Sequence, residues 1–177
     1  MDRRSSIKVL FLVTAGSTLI PGCLQDDNAS ATSYKNLKLK KDDEALLNSF
    51  SDTLVPKTTT PGAADVQAST FALMMVDDCF SPEEQLEFQN GFKEFKEYVN
   101  KNLDGPFEKS SQQDRQSLLI ALEQNKEASE DLISFYRTMK RYTLQAYTTS
   151  QYFLTEVQEY KLVPGRYYGC VPVTKTT

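Results

Sequence analysis

The sequence predicts an all-α fold, a small bundle of five to six helices with an irregular C-terminal tail. Apolar residues recur at three- and four-residue spacing through the body of the chain, the pattern of a buried helix face. Helix-start residues (Asp42, Ser81, Ser111) stand just ahead of such stretches. No segment sustains the alternation of a half-buried strand. Of the 177 residues, about 135 belong to this body, enough for one modest core.

The first predicted helix covers 42–54, with Asp42 as its cap and Ala45, Leu46, Phe50 and Leu54 on one face. Pro56 ends it, and Pro61-Gly62 punctuates a turn-rich link over 58–62. A second segment, 63–79, is apolar at Phe71, Met74, Met75 and Cys79. Ser81-Pro82-Glu83-Glu84 then opens a third helix: Ser81 caps, Pro82 takes the first helical position and Glu84 completes a capping box. Behind it Phe88, Phe92, Phe95, Val99 and Leu103 form a core stripe. A fourth helix over 111–126 starts at Ser111 and buries Leu118, Leu119 and Leu122. A fifth over 129–149 carries Leu132, Phe135, Tyr136, Met139, Tyr142 and Ala146, with the Tyr142 and Tyr147 hydroxyls near the surface or bonded to a partner. A last short helix is expected over 152–160, ahead of a Gly/Pro-punctuated tail over 161–170.

Upstream of this body, residues 1–23 read as an export leader. Arg3, Arg4 and Lys8 form a basic start, and the apolar run over 9–20 has twelve residues. A helix of that length spans ~18 Å, short of the ~30 Å hydrocarbon core, so a signal segment fits better than a membrane span. Leu19-Ile20-Pro21-Gly22-Cys23 resembles a bacterial lipobox, which makes Cys23 the lipidation site; the alternative is a cysteine inside an ordinary cleaved signal. Arg3-Arg4-Ser5-Ser6-Ile7-Lys8 resembles a twin-arginine signal, departing from it at Ser6, where an aromatic is usual. That route carries folded cargo. The expected location is the bacterial cell envelope, lipid-anchored at the periplasmic or outer-membrane face. Residues 24–41 are polar and aperiodic and read as a flexible tether, leaving 42–177 as the helical domain.

The composition narrows the chemistry. Without His the chain lacks the usual general base, haem ligand and zinc ligand. Three cysteines fall short of the four thiolates of an iron–sulfur cluster. There is no G-x-G-x-x-G and no P-loop. Hydride or electron transfer by this chain alone is therefore not expected, and no catalytic, metal or cofactor residues are assigned. Loss of the leader removes Arg3, Arg4, Lys8 and Asp2, so the 20 basic and 24 acidic residues become 17 and 23, a balance of −6. An acidic body argues against nucleic acid as partner.

With Cys23 lipidated, Cys79 and Cys170 remain. In an oxidising compartment two such thiols are expected to pair, closing a loop of about 90 residues worth ~4–5 kcal/mol; the alternative is two buried free thiols. The adjacent carboxylates Asp77-Asp78 and Glu83-Glu84 read as solvated, helix-start groups rather than an acid–base pair, because neighbours on a helix do not face one another.

Two stretches carry a family resemblance. One is Asp52-Thr53-Leu54-Val55-Pro56-Lys57-Thr58-Thr59-Thr60-Pro61-Gly62-Ala63-Ala64-Asp65. The other runs from Lys140 through Tyr152-Phe153-Leu154-Thr155-Glu156 to Val163-Pro164-Gly165-Arg166-Tyr167-Tyr168-Gly169-Cys170. Together they resemble the gluconate 2-dehydrogenase subunit 3 family, the small or gamma subunits of membrane-bound sugar and polyol dehydrogenases, with a departure at Val157-Gln158-Glu159, where a glycine is usual. The resemblance implies a non-catalytic accessory subunit that stabilises a glucose–methanol–choline-type flavoprotein and escorts it for export. FAD would reside in that partner, and haem in a cytochrome c subunit where one is present. The competing expectation is a free-standing surface lipoprotein binding a carbohydrate or another surface protein.

For the partner interface the tail is the first choice. Arg166 offers a planar fork of donors, Tyr167 and Tyr168 are interface aromatics, and Pro164-Gly165 shapes the approach; the alternative is that they pack back on the domain. Residues 58–65 form either a recognition loop or a rigid inter-helix turn.

Overall fold

The computed structural model describes residues 34–158 together with 160, 161, 163, 165, 169 and 170. Five α-helices follow in order: α1 (Lys41–Leu54), α2 (Ala68–Cys79), α3 (Pro82–Asn102), α4 (Gln112–Gln124) and α5 (Glu130–Thr148). A 3-10 turn at Phe107–Lys109 joins α3 to α4, and a π-helical turn at Phe153–Val157 follows α5. The fold is a small all-α bundle, as the periodicity predicts. α5 is its axis and touches the other four helices, most extensively α3 and α2. No helix among the described residues is long and apolar enough to cross a membrane.

Three helix starts follow their sequence signals. The Ser81 hydroxyl accepts the Glu84 N–H while the Glu84 carboxylate accepts the Ser81 N–H at 2.8 Å, and Pro82 opens α3. Ser111 caps α4 through the Asp114 N–H at 3.1 Å, and Ser129 caps α5 through the Leu132 N–H at 3.1 Å. Each such cap contributes about 1 kcal/mol.

The core is aromatic and centred on Phe135. Its ring lies 5.1 Å from Phe88, 5.5 Å from Phe92, 5.4 Å from Phe95 and 6.0 Å from Phe50, centroid to centroid. Phe50, Phe95, Phe107 and Phe135 are all at or within 1% of full burial. Gly91 makes the α3–α5 contact possible: a Cβ there would sit 2.7 Å from the Phe135 Cβ and collide with the Asp131 carbonyl. A mid-helix glycine costs about 1 kcal/mol against alanine, and the close approach of the two helices is what requires it.

Four sequence expectations are corrected. α1 begins at Lys41 with Lys40 in the cap position, because Asp43 rather than Asp42 turns back to take the Lys40 N–H at 3.0 Å. α2 begins at Ala68, after a left-handed Gln67 (φ 54°). Its buried face is Ala68, Ala72, Leu73 and Val76, while Met74 is 49% exposed and Phe71 and Met75 are only partly covered. Small Ala68 and Ala72 on the inner face let α2 pack closely on α5, Phe71 and Met75 pack at the edge of the core, and Met74 is left outside. The segment expected over 152–160 is a single π-helical turn, closed by Gln158 N–H onto Phe153 C=O at 2.9 Å.

The fourth correction concerns the tether. Residues 34–40 are not free chain but a strap bound to the domain. The Asp77 carboxylate accepts three successive backbone N–H groups, from Lys35 (2.8 Å), Asn36 (2.7 Å) and Leu37 (2.9 Å). The Asn36 amide donates to the Asp77 carbonyl at 2.9 Å. Leu37 is buried in the main core, and Tyr34 and Leu39 pack against it.

Candidate functional site

The two stretches that carry the resemblance meet at one end of the molecule. The first becomes the α1–α2 connection. It leaves α1 at Val55, whose carbonyl accepts the Ala63 N–H at 2.8 Å and closes the loop at its base. Gly62 is required by space, since a Cβ would lie 2.6 Å from the Lys57 nitrogen and 3.0 Å from the Val55 carbonyl oxygen. Asp65 braces the turn by accepting the Gly62 N–H at 2.8 Å and the Lys57 ammonium at 2.9 Å. The Lys57 hydrogen bond, then the Gly62 N–H, hold its carboxyl below the usual carboxylate range. Thr58 N–H donates to the Thr60 carbonyl at 3.1 Å, and Thr58, Thr59 and Thr60 all face solvent.

The second stretch supplies the opposite wall. The Tyr147 hydroxyl near the end of α5 donates to the Pro61 carbonyl at 3.0 Å. Beneath that bond Ala63, Ala68 and Ala146 form a small buried cluster. The Phe153 ring meets Tyr147 edge-on at 6.0 Å, and Ser150 links the α5 end to the π-helical turn by accepting the Phe153 N–H at 3.2 Å. Between loop and turn lies an open groove of about 730 Å³, with Pro61, Val66, Phe71 and Ala146 on one side and Tyr152, Thr155 and Glu156 on the other. π-helical turns recur at functional sites, and a braced loop with an exposed polar tip is shaped for contact rather than for core packing.

The carboxylate pairs are not all solvated helix-start groups, since Asp77 is buried at the C-terminal end of α2. Asp77 is enclosed by the strap, Asp78 pairs with Lys35 at 3.2 Å, and Glu84 belongs to the Ser81 cap. The densest titratable group, Glu123–Tyr136–Lys140, joins α4 to α5. Glu123 accepts the Tyr136 hydroxyl at 3.0 Å and the Lys140 ammonium at 2.7 Å. The hydrogen bond from Lys140 lowers Glu123, the same bond raises Lys140, and burial followed by the bond to Glu123 raises Tyr136. Each member is thereby held in its ordinary neutral-pH charge state, the arrangement of a structural tie. Among the described residues no three His, Cys, Asp or Glu side chains come together as metal ligands would.

The tail residues chosen from sequence lie mostly outside the description. Arg166, Tyr167, Tyr168 and Pro164 are not among the described residues, nor is Cys23. Gly165 is exposed, with open space where a Cβ would be. The Cys79–Cys170 bridge is not formed, and the thiols are not buried either: both are free and exposed. Among the described residues, the N-terminal strap is fastened to the C-terminal end of α2, through Asp77. Phe71 and Tyr147 were not singled out for this site. Tyr147 had a legible signal, a tyrosine at the end of an apolar stripe whose hydroxyl needs a partner; Phe71 stood out only as one apolar residue of its segment.

A family model for gluconate 2-dehydrogenase subunit 3 matches residues 41–165. The chain belongs to this family. The match spans all five helices, the braced loop and the π-helical turn, so the gluconate 2-dehydrogenase subunit 3 fold includes both walls of the groove. No match was found among curated proteins or among solved structures.

Proposed function

We propose that this member of the gluconate 2-dehydrogenase subunit 3 family is a non-catalytic accessory subunit that binds a flavin-dependent dehydrogenase of the glucose–methanol–choline type, acting on sugars or polyols, and escorts it into the cell envelope. FAD belongs to that partner, with haem in a cytochrome c subunit where one is present. The chain is held at the envelope by lipid on Cys23.

One observation carries the reading. The outer side of α2 is apolar at Phe71 and Met74 beside a loop whose shape is fixed by Gly62, Asp65 and Tyr147. A half-exposed methionine and an incompletely covered phenylalanine next to a braced loop are the anchor-and-rim pattern of a protein interface. The family match, and the lack of cofactor ligands in the sequence, support placing the oxidation chemistry in the partner.

The test is co-purification of a tagged chain with its flavoprotein. Phe71→Glu and Met74→Asp, each checked for native helicity, should reduce recovery of the flavoprotein at least about tenfold, the loss typical of a hot-spot anchor. Undiminished recovery from both folded variants would remove the docking face from this surface.

A further inference from the structure

The strap carries a feature that the dehydrogenase-subunit reading does not use. Lys35, Lys38, Lys40 and Lys41 fall within seven residues of a chain that is otherwise acidic. Lys35 is occupied by Asp78. We propose that the other three, Lys38, Lys40 and Lys41, form a preorganised contact for anionic phospholipid headgroups, the second membrane signal beside a lipid at Cys23.

The geometry supports this in three ways. Asp77 grips the backbone on the N-terminal side of the strap, Leu37 is buried and Leu39 half-buried, and Lys38 and Lys40 between and after them are exposed. The cations are thus exposed on a backbone already tied to the domain at residues 35–37 and Leu39, so a surface that binds them need not order the chain. Secondly, helix stability does not account for them. Lys40 stands at the cap of α1, where α3, α4 and α5 have serine. Lys40 and Lys41 sit at the positive end of the helix dipole, where a cation is unfavourable.

Thirdly, the neighbouring charges leave the strip cationic. Asp43 is taken by Lys96 of α3 at 2.9 Å, Asp78 of α2 by Lys35, and Asp77 by three N–H groups. Asp42 is a further acidic neighbour in the first turn of α1. Among the described residues, none of the ion pairs involves Lys38, Lys40 or Lys41.

Position selects the lipid surface over other anions. The strip lies near the start of the described body, beginning 15 residues after Cys23, a reach of at most ~50 Å. A basic segment next to an anchor reads as a contact for anionic headgroups. It lies at the opposite end of α2 from the groove, so a strip facing the bilayer leaves the groove clear. The proposal rests on the anchoring part of the preceding reading.

The experiment uses the full chain with Cys23→Ser, so that no lipid contributes. Its partition onto phosphatidylglycerol/phosphatidylcholine vesicles is compared with that onto phosphatidylcholine alone. The leader, basic at Arg3, Arg4 and Lys8, adds its own preference for the anionic vesicles, but equally in every variant, so the change of the ratio between variants isolates the strip. The ratio should favour the anionic vesicles and collapse at about 0.5 M salt. It should fall about tenfold or more in the triple variant K38Q/K40Q/K41Q but not in K93Q/K101Q/K109Q, which removes three exposed lysines elsewhere. An unchanged ratio in the first triple variant overturns the proposal. So does loss of the flavoprotein from that variant with vesicle preference intact, which would assign the strip to an acidic protein surface. Intact-mass measurement of the wild-type chain from membranes reads lipid at Cys23 separately, so a failed anchor and a failed strip are told apart.

Discussion

The hydroxyl of Tyr147 and the carbonyl of Pro61 are joined by a 3.0 Å hydrogen bond across 86 residues of chain. The bond ties the end of α5 to the crown of the α1–α2 loop, so the two parts of the sequence that carry the family resemblance share one rigid surface. Tyr147→Phe removes only the donor. It should cost about 0.5–1.5 kcal/mol of stability and speed amide exchange in residues 57–63 while leaving exchange in α3 unchanged. Equal acceleration in both regions would mean that the bond supports the whole bundle rather than the loop.

Gly62 and Gly165 make a matched pair of controls. A methyl group on Gly62 meets the Lys57 backbone at 2.6 Å, whereas Gly165 has open space around it. Gly62→Ala should destabilise by about 1–3 kcal/mol, and Gly165→Ala should lie within about 0.5 kcal/mol of wild type. Denaturant unfolding measures both.

Asp77 gives the strap a pH dependence of definite sign. Burial raises its carboxyl, but the three N–H groups of Lys35, Asn36 and Leu37, with the Lys35 charge, outweigh burial and hold it below the ordinary value. A lowered folded-state pKa means that its stabilisation is complete above the unfolded value of about 3.9 and is lost as pH falls through the folded value. Trypsin cleavage after Lys35 and Lys38 should therefore be slow at neutral pH in the wild type and much faster in Asp77→Ala. Amide exchange in 35–37, corrected for its intrinsic pH dependence, should rise only on the acid side. Asp77→Ala with unchanged strap cleavage would show that Leu37 alone holds the segment.

Phe135 stands against four other phenylalanine rings and Gly91 in the α3–α5 contact. Phe135→Ala should cost about 3–5 kcal/mol, much of the margin of a domain this size. Gly91→Ala should also destabilise despite the better helix propensity of alanine. A stabilised Gly91→Ala protein would disprove the close approach.

The helices were legible wherever a cap and a stripe agreed, as at Ser81 with Phe88, Phe92 and Phe95. They were misread where side-chain size and burial part company. Periodicity marks which residues share a face but not which face turns inward, and on α2 the bulky Phe71, Met74 and Met75 lost the inner side to Ala68, Ala72 and Val76. The strap was hidden because Asp77 holds it through backbone N–H groups, which leave no trace in the sequence, and because Tyr34, Leu37 and Leu39 follow no helical or strand period. Of the candidate site, the loop and the Tyr152–Glu156 turn could be read as stretches. Their meeting at Tyr147 and Pro61 is a tertiary fact.

The role proposed for this chain is to be bound by a dehydrogenase, with the oxidation left to that partner. Its most direct measurement is membrane dehydrogenase activity in a strain lacking the chain, complemented with wild type or with the folded Met74→Asp variant. The account predicts that the flavoprotein fails to reach the envelope without the chain, is restored by the wild type and is not restored by the variant. Full dehydrogenase activity at the envelope in the strain without the chain would contradict it.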